Sequence, residues 1–176
     1  PFALTRPQTV QGQVQAHLDL QALSRALLVD TQSLQGQLSC DLAVNGELPY
    51  PNLQGRIQVQ KAAYEHIQTG TLLQDISATL ELQGYRAVLT ELQATDGGQG
   101  KLQATAEVQF HPQRPLSYSG QLQLDQATLV RLETATASLS GTMDVSGDTA
   151  GAQVQAELKA FPVRVGIPEP GPPGLQ

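Results

Sequence analysis

The chain has 176 residues, of which 40% are hydrophobic and only 15% charged, with a formal net charge of −6. That length suits one domain with a sizeable core, or one stretch of a longer repetitive architecture, and argues against two domains. The acidic balance excludes nucleic acid as a partner and gives no attraction to an anionic membrane surface.

Glutamine stands where charge is missing, at polar positions such as Gln54, Gln58, Gln60, Gln103, Gln109, Gln121, Gln123, Gln153 and Gln155. The chain opens at Pro1 without a basic-then-apolar leader, and no run approaches the ~18 apolar residues that span a bilayer as a helix. It therefore reads as a piece of something larger, with any targeting or anchoring segment expected outside it.

From the N-terminus, a Gly-x-apolar signature returns at Gly12, Gly36, Gly55, Gly100, Gly120, Gly141 and Gly151. Each glycine is expected at the start of a strand, in phase with its apolar side. The stretch 19–30 departs from this pattern, because Leu20, Leu23, Leu27 and Leu28 fall at helical intervals behind Asp19, a candidate N-cap. A short helical segment is expected there.

The lone cysteine, Cys40, cannot close an internal disulfide and is expected as a free thiol on the polar face. Asn45-Gly46, Thr69-Gly70, Asp96-Gly97-Gly98 and Ser146-Gly147-Asp148 supply residues that tolerate turns. Between them Ile76, Ala78, Leu80 and Leu82 alternate strictly, as do Ala87 and Leu89. Leu92 and Ala94 then shift phase, which predicts a bulge near Glu91. The run 100–110 alternates without a slip, the mark of a strand with one wet and one dry face. The Pro-rich 167–174 reads as a linker at the cut end. The fold expected is all-β: one segment over 1–166, built from hairpins, and a linker over 167–176.

Chemistry is sparse. His17, His66 and His111 are scattered, without metal-ligand spacing or a neighbouring nucleophile, and are expected in solvent. The string DGGQGKL lacks the first glycine and the hydroxyl of a phosphate loop, so a hairpin turn is expected instead. Glu81, Glu91, Glu107, Glu133 and Glu157 are spread along polar strand faces. No catalytic residue, metal site or cofactor emerges, and the chain is not expected to be an enzyme.

The apolar faces carry the remaining information. Several strands, each presenting three to five aliphatics at roughly 25 cal/mol per Å², must be covered. A second sheet would do this as a sandwich, closure as a barrel, and curling as a trough. No Trp and 4% aromatics argue against the girdles of a membrane barrel. Composition and pattern leave a filled core and an acyl-lined slot both open.

Read in order, HLDLQALSRALL (17–28), LQGQLSCDLAVNGELPYPNLQGRIQVQ (34–60), TGTLLQDISATLELQG (69–84), LQATDGGQGKLQATAEVQF (92–110), SLSGTMDVSGDTAGAQVQAEL (138–158) and VRVGIPE (163–169) resemble the C-terminal region of the TamB family. This family supplies the inner-membrane subunit of the bacterial translocation and assembly module and belongs to the wider AsmA-like group. The resemblance implies an elongated, curled antiparallel sheet, a taco or U-shaped trough, with an apolar concave interior. It also implies a periplasmic location, in a protein anchored in the inner membrane by an N-terminal helix absent from this fragment.

The implied cargo is phospholipid, or another acyl-chain ligand, moving between inner and outer membranes. The implied protein partner is TamA, an Omp85-type barrel, engaged through regions outside this fragment. The lining expected from the resemblance is the in-phase apolar set. It comprises Leu38, Leu42 and Val44, then Ile57 and Val59, then Ile76, Leu80 and Leu82, then Leu89, Leu102 and Val108, with Leu122, Leu124, Leu139, Met143, Val145, Val154 and Leu158. Ala78, Ala104, Ala106 and Ala156 would give it width. A rival reading is a chaperone-like scaffold holding nascent outer-membrane β-strands for assembly, by edge addition or in the trough itself.

Overall fold

The protein is described here by a computed structural model that covers residues 9–27, 31–48, 51–132 and 135–165. Leu28 and the Pro-rich 167–174 lie outside the described residues. Nine strands form one antiparallel sheet in strict sequence order: β1 (Thr9–Asp19), β2 (Gln32–Glu47), β3 (Asn52–His66), β4 (Thr71–Gly84), β5 (Arg86–Thr95), β6 (Lys101–Gln109), β7 (Ser117–Arg131), β8 (Ala135–Asp148) and β9 (Ala152–Val165). A meander of this kind needs only hairpin connections. One helix, α1 (Leu20–Leu27), interrupts it. Asp19 caps that helix, its Oδ1 accepting the Gln21 amide at 2.8 Å.

The expected all-β curled sheet with one short helix is what the chain adopts. Among the described residues there is a single sheet, so its apolar face is not covered by a second one. The bulge expected near Glu91 is present. Glu91 pairs with Thr79 but Leu80 pairs with Leu89, so Thr90 is extra and Leu92 returns to the apolar side.

Several local expectations are corrected. The glycines of the repeated signature mostly lie inside strands, since Gly36, Gly55 and Gly141 sit in β2, β3 and β8 with φ of 127°, 139° and 138°. They accommodate bending within the strand; only Gly100 and Gly151 immediately precede one. Asn45-Gly46 and Ser146-Gly147-Asp148 continue their strands instead of turning the chain. Cys40 faces Ala16 and Ile57 across the sheet, on the apolar side, because it shares the parity of Leu38 and Leu42. His66 and His111 are half-buried, not free in solvent. His66 Nδ1 lies 2.9 Å from Thr69 Oγ1 at the β3–β4 turn, and the His111 ring packs 5.1 Å from Tyr85.

A crease crosses the sheet from strand to strand. The register breaks between Gln35 and Gln37 on β2, Val59 and Ala62 on β3, Gln74 and Ser77 on β4, and Leu124 and Ala127 on β7. Three of these breaks contain a non-glycine residue in the left-handed region: Lys61 at 49°, Asp75 at 52° and Gln126 at 49°. Bulges bend a strand and increase its twist. Breaks aligned across neighbouring strands therefore fold the whole sheet about an axis transverse to the strands, which gives it the curl.

The β5–β6 hairpin ends at this crease, with its tip at Asp96–Gly100, while its neighbours continue. Beyond the tip β4 and β7 meet directly. The Arg131 amide donates to the Thr69 carbonyl at 2.9 Å, and Thr71 Oγ1 donates to the Leu129 carbonyl at 2.6 Å. The buried core sits at this level, with Ala62 and Ala127 each 1% exposed and Ala94 and Leu124 each 4% exposed. Helix α1 closes the same flank beside β2, where Ser24 Oγ accepts the Leu34 amide at 3.0 Å. Leu20 and Ser24 are both buried there.

Candidate functional site

The register turns alternating aliphatics into continuous rows. One row crosses all nine strands, as Ala16, Cys40, Ile57, Leu80, Leu89, Ala106, Gly120, Val145 and Val154. The next runs Leu18, Leu38, Val59, Ala78, Leu92, Ala104, Leu122, Met143 and Ala156, again without a break. A third continues through Val14, Leu42, Gly55, Leu82, Ala87, Val108 and Tyr118. None of these rows contains a charged residue.

Every apolar position expected from the sequence falls on this face. Val44 opposes Leu53, Ile76 opposes the buried Ala62, Leu102 lies between Ala94 and Leu124, Leu139 opposes Ala127, and Leu158 opposes Gly141. The rows also contain Val14 and Leu18, which were not singled out in advance, and Cys40, which was expected on the polar face. Their signal was parity alone, and β1, the first strand described, carries it weakly.

Exposure divides this face. In the inner strands the aliphatics of these three rows are half-buried, whereas on the two outermost strands Val14 is 50% exposed and Val154 64%. Neighbouring strands lie 4.7–4.9 Å apart, so nine of them make an aliphatic strip roughly 38 Å long. The strip runs transverse to the strands, parallel to the crease.

The opposite face is polar. Arg86 holds Glu107 by two bonds, Nε–Oε1 at 2.7 Å and Nη2–Oε2 at 2.6 Å, and Arg56 pairs with Glu81 at 2.8 Å. The Arg86 guanidinium, helped by Gln109, lowers the Glu107 carboxyl to about 2. Two open hollows of about 920 and about 840 Å³ lie on this side, one floored by Thr105, Gln121, Asp144 and Gln155, the other by Gln54, Gln58 and Glu81. A twisted sheet is saddle-shaped, so its outer face has hollows as well. Their walls combine solvated amides and carboxylates with Val88, Leu89, Ala106, Val145 and Val154 in the first and with Ala43 and Leu82 in the second.

At the crease, Asp96 is 4% exposed and fully used. Its Oδ1 accepts the amides of Gly98 at 2.9 Å and Gly100 at 3.0 Å, and its Oδ2 accepts the Thr128 amide at 2.9 Å. Arg131 Nη2 completes the set at 3.0 Å from Oδ2. Burial acts to raise the Asp96 carboxyl, yet the amides of Thr128, Gly98 and Gly100 outweigh it and hold the group below its usual range. This arrangement is structural: it ties the hairpin tip to β7. Among the described residues no group of three or more His, Cys, Asp or Glu is placed to hold a metal, and no helix is long and apolar enough to cross a membrane.

One open antiparallel sheet, creased across its strands and uncharged along the aliphatic rows of one face, defines a curled β-sheet protein. Over residues 90–176, just under half of its length, the chain matches the family model described as TamB C-terminal domain. That match supports a role in the translocation and assembly module and a place in the periplasmic region of an envelope protein. No curated protein and no solved structure matches the chain.

Proposed function

We propose that this chain is one stretch of a passive conduit, in which phospholipid acyl chains lie against the apolar rows while the headgroup stays in water at the open mouth. The observation that carries this reading is continuity: two rows cross all nine strands without one charged side chain. Hydrocarbon gains by leaving water for such a surface, at about 25 cal/mol per Å². A uniform lining offers no directional bonds that would hold a cargo in one place, and sliding requires that. No covalent chemistry is involved. In the periplasm such a trough, in a protein anchored in the inner membrane, would lead lipid towards the outer membrane.

The interior also discriminates against protein cargo. An unfolded strand laid inside would bring backbone N–H and C=O groups against side chains that cannot satisfy them, at roughly 1–3 kcal/mol for each group. Strand binding is instead favoured at β1 and β9, which end the sheet and have no further partner among the described residues. That is the second reading, a scaffold for nascent outer-membrane strands working with the TamA barrel.

Photo-crosslinking from position 89 or 122 in cells tests the first reading. Adducts with phospholipid are expected. Adducts confined to outer-membrane proteins would replace the conduit with the scaffold.

A further inference from the structure

The apolar face is not equivalent along its depth, and the crease divides it. Above the crease the rows through Val14, Ala16 and Leu18 have half-buried inner-strand members, and none is counted among the fully buried residues. At and below it lie all the buried apolar side chains of the described chain: Leu20, Ala62, Ala94, Leu124 and Ala127. The change is abrupt. On β7, Leu122 is half-buried and Leu124, one pleat lower, is 4% exposed; on β5, Leu92 and Ala94 differ in the same way.

Space is filled from several directions at that level. A side chain at Gly100 would meet the Gln126 carbonyl at 2.6 Å and the Ala127 Cα at 2.7 Å. Asp96 fixes the hairpin tip against Thr128 and Arg131, and β4 joins β7 beneath it. Helix α1 occupies the corresponding flank beside β2.

We infer that the acyl path is confined to the rows above the crease, and that the apolar residues below it form a packed keel that takes up no cargo. The inference rests on the lipid reading and sharpens it. Leu42, Ile57, Leu80, Leu89, Leu122 and Val145 belong to the path, whereas the buried Ala62, Ala94, Leu124 and Ala127 form the keel, with the half-buried Ile76, Leu102 and Leu139 beside them on the keel side. The occupant is hydrocarbon because the upper rows present only aliphatic, glycine and thiol surface up to Tyr118, with no charge to match a polar ligand.

Cys40 offers a native reporter, being the chain's single cysteine and a member of an upper row. Its rate of reaction with a maleimide fluorophore is measured on the 176-residue chain with and without vesicles of phosphatidylethanolamine and phosphatidylglycerol. The same measurement is made on Cys40→Ser/Leu102→Cys, and on Cys40→Ser/Leu139→Cys in case the first variant does not fold, each checked by circular dichroism. Vesicles are expected to slow labelling of Cys40 several-fold and to leave the keel-side cysteine unchanged. Equal protection at both depths overturns the division while leaving the lipid reading intact. Protection at neither depth overturns the lipid reading and the division with it.

Discussion

Asp96 and Arg131 are 35 positions apart in the chain and meet at 3.0 Å, joining the tip of the β5–β6 hairpin to the end of β7. The pair lies where the sheet folds, and the same carboxylate takes three backbone amides. Curvature in this protein therefore depends on a polar tie at the bottom of an otherwise aliphatic structure.

Replacing Asp96, itself 4% exposed, by alanine removes the acceptor of the Thr128, Gly98 and Gly100 amides and leaves Arg131 only its bond to the residue 96 carbonyl. Leaving buried donors unpaired is a severe lesion, and a loss of roughly 2–4 kcal/mol is expected. Urea unfolding reads this as a lower midpoint, and an unchanged midpoint would refute the role given to Asp96.

Stability should fall in acid for the same reason. The native Asp96 carboxyl titrates below its ordinary value, because the amide bonds outweigh the effect of burial. A group with a lowered native pKa stabilises the fold above its unfolded value of about 4. That contribution fades as pH drops through the native value. Unfolding midpoints should be level above about pH 5 and decline below about pH 4, with a shallower decline in Asp96→Asn. Glu107, lowered to about 2, acts in the same direction. Its exposed pair is screened by salt, so the part of the decline that persists in high salt isolates Asp96.

Two glycines of the same repeated signature should respond differently to a methyl group. Gly100→Ala drives a Cβ into the Gln126 carbonyl and the Ala127 backbone, whereas Gly12→Ala meets nothing within 4 Å. A loss of about 1–3 kcal/mol is expected for Gly100→Ala. For Gly12→Ala the expected change is within about 0.5 kcal/mol. Thermal melts of the two variants, run side by side, decide the matter.

Depth on β7 sets a third contrast. Leu124→Asp places a carboxylate among buried neighbours without a partner, and the chain should fail to fold. Leu122→Asp, half-buried in the open rows, should fold with strand content intact and lose phospholipid binding. Retention of lipid by folded Leu122→Asp in a vesicle co-flotation assay would contradict the conduit.

Most of the sheet was legible in the sequence because its faces are set by parity. Leu80 opposes Leu89, and Leu102 opposes Leu124, since period-two alternation leaves one register that keeps the dry side dry. Even the Thr90 bulge announced itself, through the change of phase from Leu89 to Leu92. The crease did not. Lys61, Asp75 and Gln126 adopt positive φ without the glycine that usually signals it, and their alignment across strands exists only after the strands pair. The keel was hidden for a related reason: Leu122 and Leu124 belong to one alternating pattern, and the tie that buries only the second comes from Asp96, in a stretch that reads simply as a turn.

The shortness of the β5–β6 hairpin has a geometric consequence. Above the crease β4 and β7 stand apart with two strands between them; below it they touch. The sheet is thus broader above the crease than below it by about 10 Å, two strand spacings. A body with unequal sides is a wedge, and wedges laid end to end form an arch. A protein that continued this plan would bow towards its shorter side, so the route along its inside would be an arc.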